Sequence, residues 1–98
     1  MTDLAVANTI RTQLGQRALF MLGAKNLAGD SNSLGFRIGR NAKTVNAIRI
    51  TLDPCDTYTI RFIRVRGSKI TTVAECSDVY ADALHATIER QTGLYTSL

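Results

Sequence analysis

Between Phe36 and Lys69 apolar residues alternate with basic or small ones, and the pattern breaks where turn-forming residues stand and once more at Phe62-Ile63. Phe36 and Ile38 alternate with Arg37 and Gly39; Ile48, Ile50 and Leu52 with Ala47, Arg49 and Thr51; Tyr58, Ile60 and Phe62 with Thr59 and Arg61. A period of two in β-branched and aromatic residues is the mark of strands buried on one face. Asn41-Ala42, Asp53-Pro54-Cys55-Asp56 and Gly67-Ser68 separate the runs, and each supplies residues that reverse a chain tightly. The stretch therefore predicts an antiparallel meander. Ile63 and Val65 shift the apolar parity after Phe62, which predicts a bulge near Phe62 and Ile63. Ile70, Thr72, Ala74 and Cys76 supply one face of a further strand.

The flanks read differently. Over residues 3–14, Leu4, Ala7, Ile10 and Leu14 keep the spacing of one helical face, with Thr2 or Asp3 as cap and Gly15 as stop. Residues 17–24, RALFMLGA, are short and continuously apolar, which predicts a first strand, and residues 28–33, AGDSNS, predict a turn. Near the C-terminus Ser77 or Asp78 is positioned to cap a helix bearing Tyr80, Leu84 and Ile88, with a left-handed stop at Gly93-Leu94. The fold class is α+β: an antiparallel meander sheet of four or five strands flanked by an N-terminal and a C-terminal helix, in a single domain spanning 1–98. Both helices are expected on the same sheet face.

A composition of 45% apolar and 20% charged residues suits a globular chain rather than a disordered one. The longest apolar run, Ala18 to Leu22, falls far short of the roughly 20 residues a membrane helix needs. Asp3 and the polar residues that follow do not resemble a signal peptide, so the expected location is the cytoplasm. Cys55 and Cys76 are expected as free thiols, and with one histidine they do not make a structural zinc set.

Charge is concentrated. Arg37, Arg40, Lys43, Arg49, Arg61, Arg64, Arg66 and Lys69 face only Asp53 and Asp56 within the central stretch, a local +6 against +4 for the whole chain. The meander places Arg49 opposite or diagonal to Arg37 and Arg61, and like charges directly opposed destabilise a sheet by up to about 1 kcal/mol. A sequence that keeps them points to an external anion, since each guanidinium is a planar fork for phosphate or carboxylate. The plainer reading of the same side chains is a solvated face, with stems covering apolar surface and heads in water. Arg64, Arg66 and Lys69 surround the Gly67-Ser68 turn, and Arg40 and Lys43 the turn at Asn41, so these clusters extend the patch. Tyr58 and Tyr95 are the candidate stacking platforms for bases. Catalytic patterns are weak: Gly39 to Thr44 lacks the second glycine of a phosphate loop, His85 has no nucleophile placed beside it, and Asp53 and Asp56 suit turn acceptors better than a metal pair.

The runs GAKNLAGDSNSLGFRIGRNAKTVNAIRITL, RVRGSK, VYADAL and TGLYTSL resemble a family of small uncharacterised proteins encoded by bacteriophages and prophages, over residues 17–98. The resemblance implies a phage accessory protein in the host cytoplasm and carries over no catalytic or binding residue. The expected function is non-enzymatic binding of nucleic acid through a basic sheet face, by phosphate contacts from Arg37, Arg49, Arg61, Arg40, Lys43, Arg64, Arg66 and Lys69, without cofactor or metal. The alternative is a protein-binding inhibitor of a host machine, in an anti-defence role, or an assembly component, using the same cations against an acidic host protein. A homodimer through the uncovered sheet is a third arrangement.

Overall fold

In the computed structural model, which describes residues 5–39 and 45–94, the N-terminal apolar positions do form a helical face: α1 (Ala5–Leu14) buries Ala7, Ile10 and Leu14. Gly15, at φ 85°, ends it, and its N–H donates to the Arg11 carbonyl at 3.0 Å. The expected cap residues Thr2 and Asp3, with Leu4, lie outside the described residues.

The segment read as a first strand is instead a second helix, α2 (Gln16–Leu22). Its apolar run conceals helical spacing, because Ala18, Leu19 and Leu22 are buried while Phe20, in the same run, is 82% exposed. The residues are mostly strong helix formers. Gly23 takes the left-handed conformation at φ 68°; its N–H donates to the Phe20 carbonyl and that of Ala24 to the Leu19 carbonyl, the paired closure that terminates helices. The first strand then comes later, β1 (Lys25–Gly29), followed by β2 (Ser33–Arg37), β3 (Ala47–Leu52), β4 (Tyr58–Arg66) and β5 (Lys69–Val79). They lie in the order β1-β2-β3-β4-β5, every neighbouring pair antiparallel, giving a five-stranded meander between N-terminal helices and a C-terminal one.

Register decides which side chains share a face. Phe36, Ile48, Phe62 and Ala74 form one cross-strand row and Leu34, Ile50, Ile60 and Cys76 the next, all on the helix-covered side. Ile50, Ile60 and Phe62 are fully buried there with Ile10, Leu14, Leu22, Leu84 and Ile88. The predicted irregularity at Phe62 and Ile63 is present, but the extra residue lies on β5: Phe62 pairs with Ala74 and Ile63 with Thr72, leaving Val73 unopposed. Strand β4 keeps its alternation, so Ile63 and Val65 simply face the other side. The same bulge reverses parity along β5, and Ile70 and Thr72 share the open face while Ala74 and Cys76 turn inward. The expectation of one face for all four was wrong for this reason.

Strand β5 also runs further than the sequence suggested. A second register shift near Asp78, at φ 56°, carries it to Val79, so neither Ser77 nor Asp78 caps a helix. A 3-10 turn (Ala81–Ala83) leads into α3 (Leu84–Thr92), which ends at left-handed Gly93, whose N–H donates to the Glu89 carbonyl. Leu94 packs partly against the core, as the stop predicted. His85 Nε2 lies 2.6 Å from the Leu14 carbonyl and ties α3 to the end of α1. No described helix is long and apolar enough to cross a membrane.

One side chain extends the ladder. Asn46, just before β3, donates its amide to the Val65 carbonyl at 2.8 Å and accepts the Val65 N–H at 2.7 Å, substituting for a strand residue beyond the end of β3. Asn46→Ala orphans both backbone groups, and unmade partly buried hydrogen bonds cost about 1–3 kcal/mol. The melting temperature should then drop by roughly 5–15 °C in calorimetry. Asn46→Asp, which keeps the acceptor, should lose less.

Candidate nucleic-acid interface

The open face of the sheet carries two cross-strand rows of interest. One runs Ala28, Gly35, Arg49, Arg61 and Glu75; the other runs Lys25, Arg37, Ala47, Ile63 and Thr72. Arg49 and Arg61 are thus directly opposed, and Arg37 is diagonal to Arg49, as the meander implied. Gly35 and Ala47 leave a shallow trough of about 210 Å³ between Arg37 and Arg49, floored by small and apolar groups.

Two of the three arginines are already engaged. Arg49 crosses bare Gly35 to an ion pair with Asp30, and Arg61 Nε lies 3.7 Å from Glu75 Oε2. Across the sheet the order is negative, positive, positive, negative, which relieves the repulsion between the arginines. Both pairs are near half exposed, at 44% and 41% for the first and 50% and 45% for the second. Exposed pairs contribute only about 0–1 kcal/mol, so a phosphate can compete for either guanidinium. Arg37 has no carboxylate within 4 Å among the described residues.

Asp30 holds more than Arg49. Its carboxylate accepts the Asn32 N–H at 3.1 Å and the Ser33 hydroxyl at 2.8 Å, shaping the β1–β2 turn. The Asn32 N–H foremost, then the Ser33 hydroxyl and the Arg49 charge, hold its pKa below the usual carboxylate value. A carboxyl that titrates lower when folded stabilises above its unfolded pKa, and that contribution is lost as pH falls through the folded one. Asp30→Asn should therefore flatten the acid limb of the stability curve. The same change keeps an acceptor for the turn and releases Arg49, so anion affinity should rise about twofold to fivefold at neutral pH.

The remaining cations do not share this face. Alternation puts Arg64 and Arg66 on the opposite side of β4, where they pair with Thr71 and Lys69 around the Gly67-Ser68 connection. Gly67 has a φ of 59° and Ser68 does not have positive φ, as in a two-residue turn with glycine first. Arg66 and Lys69 are opposed like charges. The Nε of Arg64 is shut off from solvent and has no hydrogen-bond partner among the described residues; an unmade bond of this kind costs about 1–3 kcal/mol or more. Arg40 and Lys43 lie outside the described residues.

The two groups are united by position along the strands. Lys25 opens β1, Arg37 closes β2, Arg64 and Arg66 close β4 and Lys69 opens β5, so antiparallel order brings all five to one end of the sheet. Asp30, Asp53, Asp56 and Asp78 stand at the other end, and Glu75 in between. Strand β4 alone separates the ends by roughly 25 Å at its usual rise per residue. That is about three Debye lengths at physiological salt for Arg66 and Lys69, so the acidic end does not neutralise the hairpin tip. Lys25 and Arg37, level with Ile63, lie roughly 16 Å from the acidic end, about two Debye lengths.

Lys25 was missed because residues 17–24 were read as strand; the glycine helix stop at Gly23 was the available signal. Tyr58, proposed as a platform, is instead a core residue whose hydroxyl donates to Gln13 Oε1 at 2.6 Å. Burial raises its pKa, partly countered by that bond. Tyr95 lies outside the described residues. No family model matches this chain, and neither a curated protein nor a solved structure gives a significant match.

Proposed function

We propose that this protein binds nucleic acid by its phosphates at the basic end of the sheet, and performs no reaction on it. What supports this reading is the segregation of charge: Lys25, Arg37, Arg64, Arg66 and Lys69 at one end, with the sheet's aspartates at the other. Arg49 and Arg61 extend the footprint once phosphate displaces Asp30 and Glu75. Phe36, Tyr58 and Phe62 are in the core, so the sheet offers no platform for stacking and sequence preference should be slight. The resemblance to phage and prophage proteins supplies the setting, an accessory protein in the bacterial cytoplasm.

Fluorescence anisotropy with single-stranded and duplex oligonucleotides tests this at two salt concentrations. Five contacts give a slope of log K against log salt of about −4.5 on duplex. Absence of binding at the lower salt removes the reading. One feature favours a protein partner instead: β5 is an edge strand on which Ile70 is 70% exposed. A partner captured from nuclease-treated host lysate, with no oligonucleotide bound, selects that alternative.

A further inference from the structure

The β4–β5 hairpin has a feature that backbone binding alone does not require. Arg64, Arg66, Lys69 and Thr71 line a small recess of about 110 Å³ on the side of the sheet away from Arg37. Two separate observations mark it. The Arg64 Nε–H is buried without a partner among the described residues, although buried charged donors are nearly always satisfied. The opposed Arg66 and Lys69 lack any described carboxylate within 4 Å, whereas Arg49 and Arg61 in the same sheet are flanked by Asp30 and Glu75. One like-charged pair is quenched from within the fold and the other is not.

We propose that this recess is a subsite for a single phosphoryl group. A tetrahedral phosphate turns oxygens in every direction, so it can accept at once from the Arg66 guanidinium, the Lys69 ammonium and the Thr71 hydroxyl, and from the Arg64 Nε–H once that side chain, shut off from solvent in the free protein, turns toward the recess. A carboxylate offers two oxygens in one plane and leaves some of these donors unmet. The recess admits the compact oxyanion and leaves the remainder of the ligand outside. The inference rests on the reading of the protein as a phosphate binder and narrows it to four residues.

The test is a titration followed by the Arg64 Nε–Hε resonance and the Thr71 amide in nitrogen–proton spectra. Inorganic phosphate should shift both saturably, and chloride at matched ionic strength should not. Arg64→Lys, which keeps the charge and removes the Nε–H fork, should weaken phosphate binding about fivefold or more. Thr71→Val, an exposed change that leaves the hairpin intact, should weaken it less. Oligonucleotides with a 5′-phosphate or a 5′-hydroxyl identify the source: tighter binding of the former assigns a terminal phosphate, and equal binding a backbone one. Resonances that do not move, or a lysine variant that binds phosphate as well as the parent, overturn the subsite. Phosphate binding without either oligonucleotide keeps the subsite and removes the nucleic-acid reading; oligonucleotide binding with Arg64 unmoved does the reverse.

Discussion

Replacing Arg66 and Lys69 together by glutamate should weaken oligonucleotide binding by about two orders of magnitude or more at physiological salt. Each lost charge-assisted contact accounts for about 1.5–3 kcal/mol, and the new carboxylates add repulsion to the loss. The fold should be untouched. Both side chains are exposed at the tip of the hairpin, and the opposed glutamates replace one like-charged pair by another, so the small destabilising contact is neither gained nor lost. Melting temperature measured beside affinity separates the two effects: binding should collapse while stability stays within about 1 kcal/mol of the parent.

The largest effect on stability is expected from Phe62→Ala. Phe62 is 0% exposed and sits on β4 between Ile48 of β3 and Ala74 of β5, next to the Val73 bulge. Truncating a buried phenylalanine costs about 3–5 kcal/mol, from lost transfer energy and the cavity left behind. A domain of this size has only about 5–15 kcal/mol in total, so urea unfolding should shift to a much lower midpoint. Ile63→Ala, one residue on but facing the open side, should cost far less; equal losses would show that the assignment of faces is mistaken.

The sheet was legible because its alternation and turn residues agree, and the register that opposes Arg49 to Arg61 follows from those turns. Residues 17–24 misled because a helix of two turns packed against a core shows almost no polar face, apart from the unexpected exposure of Phe20. The change of parity at Ile63 predicts a bulge near Phe62 and Ile63, and a strand with apolar residues on both faces produces the same pattern; both hold here, with the extra residue across the ladder at Val73. Among the candidate cations, their number and types could be seen, but not their division between two faces. That division depends on parity within β4, and the pairing of Arg49 with Asp30 depends on a crossing over Gly35 that no local pattern reveals.

If the end of the sheet, rather than overall charge, holds the nucleic acid, then where a charge is changed must matter more than how much. Arg66→Glu with Lys69→Glu lowers the formal net charge of +4 by four, and so does Arg17→Glu with Arg90→Glu on the exposed surfaces of α2 and α3. Anisotropy titrations of the two double variants against one duplex at one salt concentration decide the matter. Loss of about two orders of magnitude in the hairpin variant, with a change under about fivefold in the helix variant, is the predicted result. Equal losses in both would contradict it.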